Sequence, residues 1–416
     1  MKIFSTLLLK HASYLLVLSA TLLSAQPHPL PCGFSVNLVT DDVLYRNLPP
    51  ASRLTTTNLY TVPVVFHILH TGGTENVPDS VVFNWLNNLN QRFANMVPFY
   101  DTSGVDIDIE FCLATVDTNG NPTNGIDRHY TPMSNMPLFA INNGLPATFP
   151  VFDSVAAVYH WNTLKYFNIY IVKSLAINGI PYSGYGWWYT NHGQRYDGIY
   201  ISYLSNLSVD LLLPHEAGHY LGLAHTFQSG CANLNCLLYG DGVCDTPPDS
   251  IGIGTCTPTN SCQSDDDDTS ANNPFRPVAL GGIGDQNDDN TNYMDYACVK
   301  HYTSGQKTRM QSVLTNFRGS LLSLNGCGVP SGATQQTLFE QSLKVFPNPV
   351  VDNVTFKNYY APIQTVVIYD MRGNELHRLH SNDISATLNL SELGKGIYLY
   401  KVTAPGNILF YGKLVK

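Results

Sequence analysis

Basic charge is what this chain has least of. Of its 416 residues, 22 are lysine or arginine and 31 are aspartate or glutamate, for a formal net charge of -9. No basic stripe or cluster appears anywhere, which argues against nucleic acid as a partner. Long apolar runs are equally scarce. Beyond residue 25 none approaches the roughly 18 residues that a bilayer-crossing helix needs, so no transmembrane segment is expected in the mature form. Internal repeats are absent. Regular hydrophobic periodicity also disappears for some 75 residues after His225, in a stretch rich in Gly, Asp, Asn and Cys. So long an irregular stretch inside a compact domain is functional, disordered or held by other bonds.

The N-terminus reads as an export signal. Lys2 and Lys10 flank or precede the apolar "SYLLVLSATLLSA", and small residues lead up to Gln26, so cleavage is expected after Ala25. Nine cysteines then remain: Cys32, Cys112, Cys231, Cys236, Cys244, Cys256, Cys262, Cys298 and Cys327. In an exported protein these read as disulfides, and an odd number leaves at least one thiol unpaired within a monomer.

The length accommodates two or three domains. Residues 26–59, interrupted by Pro49 and Pro50, read as a pro-segment, with Arg46 and Arg53 as candidate processing points. "YTVPVVFHILHT" from Tyr60 is a β-branched apolar run that predicts a first buried strand. Val82, Trp85, Leu86 and Leu89 follow at helical spacing and predict an amphipathic backing helix. "GVDIDIEFCLA", "YFNIYIVKSL" and "DGIYISYLS" read as strands, and the last is expected to form the cleft edge where an extended peptide adds. This order predicts an α+β domain over 60–327, a mixed sheet with helices packed on it. Thr303 and Gln306 have capping-box spacing for a helix reaching about Leu322. Residues 328–342 read as a linker, and 343–416, with short alternating runs separated by turns, as a small all-β sandwich.

"HEAGHYLGLAH" (215–225) carries the chemistry. His215 and His219, four apart on a helix, share one face and can offer two imidazole nitrogens to one zinc ion. Glu216 stands beside the first of them, placed to take a proton from an attacking water. Gly222 can turn the chain so that His225 approaches as third ligand. Pro214 is not accommodated deep in a helix, so the helix should begin about a turn earlier or kink there.

The extended motif resembles that of the metzincin metallopeptidases. "NYMDY" (292–296) fits their methionine turn, and "HTFQSGC", "GDGVCDTPP" and "SGQKTRM" make the resemblance specific to the pappalysin family, in its ulilysin- and cytophagalysin-like branch. It covers roughly residues 60–327. It implies a metzincin fold in which His215, His219 and His225 bind catalytic Zn2+, Glu216 is the general base, Met294 floors the metal, and Tyr296 reaches the metal or the oxyanion.

The same resemblance assigns structural Ca2+ to Asp241, Asp245 and Thr246, whose hard oxygens suit that ion. The "SDDDD" run (264–268) is read as a solvated loop. The implied cystines are Cys256–Cys298, Cys231–Cys262 and Cys236–Cys244, with Cys231 and Cys236 interchangeable at this stage. Cys32, in "PCGF", matches a Cys-Gly common in pro-segments of this branch. It is either a thiolate ligand that keeps the zinc latent or half of a cystine with Cys112 or Cys327.

"VFPNPVVDNVTF", "VVIYDMRGNEL" and "LNLSELGKGIYLYKV" resemble the C-terminal sorting domain of the Bacteroidetes type IX secretion system. That resemblance implies passage through the periplasm and outer membrane of a Gram-negative bacterium, and release or surface attachment. The expectation is thus a secreted or cell-surface zinc metalloendopeptidase, monomeric, acting on proteins or peptides. A non-catalytic surface binding protein and a zinc amidase of cell-wall peptides are the alternatives.

Overall fold

The computed structural model describes residues 32–34, 36, 38–48, 59–138, 149–177, 180–205, 207–252, 256–296, 298–322, 327, 343–358, 362–383, 385–404 and 408–416. The export signal, Arg53 and the 328–342 linker lie outside the described residues.

Two short helices, α1 (Leu38–Asp41) and α2 (Val43–Arg46), precede β1 (Tyr60–His70), α3 (Asp79–Phe93), β2 (Ile109–Leu113), β3 (Ile126–Tyr130) and β4 (Asn135–Leu138). Next come α4 (Phe149–Tyr159), β5 (Phe167–Val172), β6 (Ser174–Ile177), β7 (Ile180–Tyr182), β8 (Gly184–Gly186), β9 (Ile199–Ser202), α5 (Val209–Tyr220) and α6 (Ser304–Phe317).

The main sheet runs β2-β1-β5-β9-β8, with β3 also pairing β1. β1 is long enough to serve two neighbours on one side. Its first half pairs with β2 and its second half with β3, both parallel. β5 and β9 continue the parallel array, and β8 closes it antiparallel. β1 carries eight consecutive buried residues because both sheet faces are covered. Val62, Val64, Phe66 and Ile68 pack with Trp85, Leu86 and Leu89 of α3 and with Leu213 and Ala217 of α5. Val65 and Leu69 point the other way, toward Trp161 and toward Phe152 of α4 respectively.

The cleft edge is not the strand expected from "DGIYISYLS". That segment is β9, and its outer side is already paired by β8. The free edge therefore belongs to the three-residue Gly184–Gly186 strand, too short and too glycine-rich to register as periodicity.

α6 starts with a complete capping box between Thr303 and Gln306, which satisfies two orphan donors of its first turn. Between α5 and α6 the described residues hold only one short 3-10 turn, Val278–Leu280. Arg318, just past α6, is fully buried and grips Asp197 with two bonds (2.6 and 3.0 Å), while its Nε donates to the Tyr220 carbonyl at 2.8 Å. This fork ties the C-terminal end of α5 to the loop leading into β9.

The C-terminal residues form β10 (Leu343–Phe346), β11 (Asn353–Asn358), β12 (Ile363–Tyr369), β13 (Glu375–Asp383), β14 (Ser385–Asn389), β15 (Ile397–Ala404) and β16 (Ile408–Val415). They make a three-stranded sheet, β10-β11-β14, and a four-stranded sheet, β13-β12-β15-β16. Val354, Phe356, Val366, Ile368, Val402 and Leu414 supply a core of its own for this all-β sandwich.

Candidate metal centre

α5 begins at Val209, a little over a turn before Pro214, so the proline removes one helical bond without breaking the helix. His215 and His219 then face the same way. Gly218 between them leaves room for Met294, whose sulfur would collide with any Cβ there. The helix stops because Gly222 adopts φ +87°, which β-carbon residues resist, and the Leu223 N–H returns to the Gly218 carbonyl at 2.9 Å. The reversal brings His225 back beside the helix.

The three rings converge: His219 Nε2 is 3.1 Å from His215 Nε2 and 3.2 Å from His225 Nε2. His215 Nδ1 lies 2.7 Å from the Tyr293 carbonyl and His219 Nδ1 lies 2.8 Å from the Leu223 carbonyl. A carbonyl only accepts, so both rings carry their proton on Nδ1 and turn a bare Nε2 lone pair inward. Bare lone pairs so close repel rather than hydrogen-bond, and a cation among them removes the conflict. Burial pushes His215 down to about 4 and holds His219 and His225 well below the ordinary imidazole value. Neutral imidazole is the ligand form. The donor set fits zinc.

Glu216 is fully buried next to this cluster, and burial pushes it up to about 8. Its Oε1 has no hydrogen-bond partner, and its Oε2 accepts from Cys32 Sγ at 3.5 Å. Gly184 of β8 is required here, since a Cβ would strike the Glu216 carboxylate.

Cys32 completes the group, for its sulfur and the three ring nitrogens all lie within 4.8 Å of one another. The chain around it occupies the cleft. The Gly33 N–H donates to the Gly184 carbonyl at 2.9 Å, along the free sheet edge, and the Phe34 ring stacks on His219 at 3.9 Å. Farther on, Asp42 pairs with Arg309 and accepts from Tyr189 Oη at 2.8 Å, while Tyr45 lies under the Arg309 guanidinium at 4.3 Å. Tyr296 Oη accepts the Cys32 N–H at 3.2 Å and stands 3.3 Å from His225 Nε2.

One residue of the site escaped sequence reasoning. Asp295, between Met294 and Tyr296, is 1% exposed with an unpartnered Oδ2, and burial pushes it up to about 7. With Leu207, Leu211 and Val299 it lines a pocket beside His215. An acid inside the methionine-turn segment was the available signal.

Of the three residues expected to hold calcium, two come together. Thr246 Oγ1 donates to Asp241 Oδ1 at 2.7 Å, and Asp241 Oδ2 is buried without a partner. Asp245 turns elsewhere: its two oxygens accept from Thr303 Oγ1 (2.7 Å) and the Gly305 N–H (2.8 Å) at the start of α6. It serves as an N-terminal anion for that helix. The "SDDDD" run, expected to be solvated, is partly structural, for Asp265 and Asp268 are buried. Asp268 Oδ2 accepts the Cys236 N–H at 2.8 Å, and Asp265 Oδ2 the Gln286 N–H at 3.0 Å. Cystines join Cys231 to Cys262, Cys236 to Cys244, Cys256 to Cys298 and Cys112 to Cys327, leaving Cys32 as the free, buried thiol.

Residues 151–315 match the peptidase family described as pregnancy-associated plasma protein-A. That segment is similar to the peptidase domain of the pappalysin family. Residues 344–416 match a secretion-system C-terminal sorting domain. An extracellular metalloprotease of Neurospora crassa is 32% identical over 170 residues, 38% of this chain and 51% of the relative. One of Sordaria macrospora is 33% identical over 171 residues, again 38% of this chain and 51% of the relative. The chain thus spans about half the length of these relatives. A third extracellular metalloprotease, from Arthroderma otae, is 26% identical over 289 residues, covering 66% of this chain and 85% of the relative. A solved structure of mirolysin in complex with compound 9 shares the fold at a TM-score of 0.50 and 22% identity, covering 66% of this chain and 100% of that one.

Proposed function

We propose that the chain is a zinc metalloendopeptidase, exported through a type IX pathway by its C-terminal sandwich and made as a latent precursor. The carrying observation is the convergence of three imidazole Nε2 atoms, two of them bare lone pairs, beside a buried, half-satisfied glutamate. His215, His219 and His225 would hold zinc, which when bound supplies Lewis acidity to the scissile carbonyl and acidifies water.

The rest is work for the chain's own groups. An extended substrate adds to β8 as Gly33 does, taking the Gly184 carbonyl as acceptor. Glu216 accepts the proton of the attacking water and returns it to the leaving nitrogen, and its elevated proton affinity suits both halves of that transfer. Tyr296 Oη donates to the developing oxyanion. Asp295, the acidic residue in a pocket floored by Leu207, Leu211, Leu212 and Val299, favours a basic side chain next to the cleaved bond. Cys32 would close the metal site in the precursor. Calcium is proposed at Asp241 and Thr246, near enough to the active-site loop to stiffen it, with Asp245 acting through α6. The enzyme is read as a monomer.

The test compares the processed chain with Glu216→Ala for zinc content and for hydrolysis of denatured protein. The expected result is one zinc retained at this site in both, with cleavage reduced at least about 100-fold in the variant. Zinc bound without cleavage by either protein would move the reading to the binding-protein or amidase alternatives, and muropeptide turnover separates those two.

A further inference from the structure

A second cluster of metal-ligand side chains lies on the opposite face of the sheet from α5. His67 of β1 and Asp127 of β3 are direct register partners, and His129 follows Asp127 by two, on the same face. His67 interrupts an otherwise apolar strand and is fully buried, whereas Asp127 and His129 are 28% and 27% exposed.

Hydrogen bonding fixes the state of His67. The Asn168 amide nitrogen donates to the Trp161 and Tyr166 carbonyls, both at 3.1 Å, so its oxygen is identified. That oxygen accepts the Trp161 N–H and lies 2.8 Å from His67 Nε2, which must therefore carry a proton. In the neutral ring His67 Nδ1 is the ligand atom, and it faces Asp127 Oδ2 at 3.5 Å with no hydrogen bond. His129 Nε2 faces the other oxygen, Oδ1, at 3.0 Å, again without hydrogen-bond geometry. Two imidazoles and a carboxylate thus converge with no hydrogen bond among the facing atoms, an arrangement that a cation would satisfy. The supporting shell is also in place: Asn168 orients His67 from behind, and Trp161 Nε1–H donates to Asp127 Oδ2 at 3.0 Å.

We propose that His67, Asp127 and His129 form a second divalent-metal site, of a two-imidazole, one-carboxylate composition suited to zinc. One atom from each of the three lies within 4.8 Å of the others. The partial exposure of Asp127 and His129 leaves an entry path and an open coordination position for water. Bound there, the ion would pin the outer strand β3 to the centre of the sheet.

The experiment uses the full chain, stripped of metal and re-equilibrated with buffered zinc, and reads zinc per chain together with the thermal midpoint. Wild type is compared with His129→Ala, with Asp127→Asn and, as an independent reference, with His219→Ala. His129→Ala and Asp127→Asn should each hold one zinc fewer than wild type and lose part of its zinc-induced midpoint shift. The loss from His219→Ala should be separate and additive in the double variant, so this site is scored whether or not the α5 site binds zinc. His129→Ala and Asp127→Asn chains that fold and bind as much zinc as wild type would overturn the proposal and leave a protonated-histidine ion pair in its place.

Discussion

Asp42, between α1 and α2, and Arg309 of α6 meet at 2.8 Å, with neither side chain more than 2% exposed. An ion pair so enclosed contributes little when intact, but costs about 3–5 kcal/mol when one partner is removed. A peptide of residues 26–48 should inhibit the processed enzyme, and its Asp42→Asn version should inhibit roughly 150- to 4000-fold less, by the usual conversion of free energy to affinity. Equal inhibition constants would show that this pair does not anchor the segment.

Cys32 sits where its sulfur can reach all three ring nitrogens. Cys32→Ala, in the unprocessed precursor, should release proteolysis without any cleavage of the pro-segment. Activity assayed beside electrophoresis of the same sample decides it, and a precursor that remains silent assigns latency to Phe34 and the β8 pairing alone.

Asp241 keeps a buried oxygen without a partner in the loop after α5. Calcium-selective chelation should lower the melting temperature of the processed enzyme, and Asp241→Asn should abolish that calcium dependence. Calorimetry with and without added calcium measures both. An unchanged midpoint in wild type removes calcium from the account.

His301 and Asp289 form a pair that titrates away from the candidate metal centre. Burial opposes charge on the His301 ring, but the Asp289 carboxylate at 3.1 Å, helped by Asp101 at 3.9 Å and opposed by Lys300, holds its pKa above 6.5. A raised histidine stabilises the fold fully below the unfolded value and loses that contribution as pH rises through the folded one. Asp289 is burial-penalised yet held low by the same ring, so its contribution persists down to acid pH. The midpoint difference between wild type and His301→Gln should be largest near pH 5–6 and shrink toward pH 9, a trend that thermal melts across that range would reveal or refute.

Much of this was readable before any coordinates. β1 and α3 announce themselves because burial imposes a period on side chains, and α6 because Thr303 and Gln306 satisfy each other locally. HEAGHYLGLAH is legible for the same reason: its candidate ligands sit within eleven residues, where local geometry dictates distance. What escaped depends on contacts remote in sequence. β8 is an edge only because β9 pairs with it. The polar strand β3, "IDRHY", shows no apolar alternation. Asp245 looks like a calcium ligand until Thr303, 58 residues on, claims it. The fork between Arg318 and Asp197 spans 121 residues, and nothing near either residue foretells it.

The placement of Arg46 changes what activation means. Cys32, Phe34, Asp42 and Tyr45, the groups that fill the cleft, all precede it, and α2 ends on it. Under the proposed latency, a cut after Arg46 would sever the tether but leave Cys32, Phe34, Asp42 and Tyr45 in the cleft, so it would yield a complex of two chains and not yet a free enzyme. The active fraction would then depend on concentration: small where nicked molecules are crowded at the cell envelope, larger once they disperse. A specific activity of nicked protein that rises on dilution, read after equilibration, is its signature, and a specific activity indifferent to dilution would place the decisive cut elsewhere.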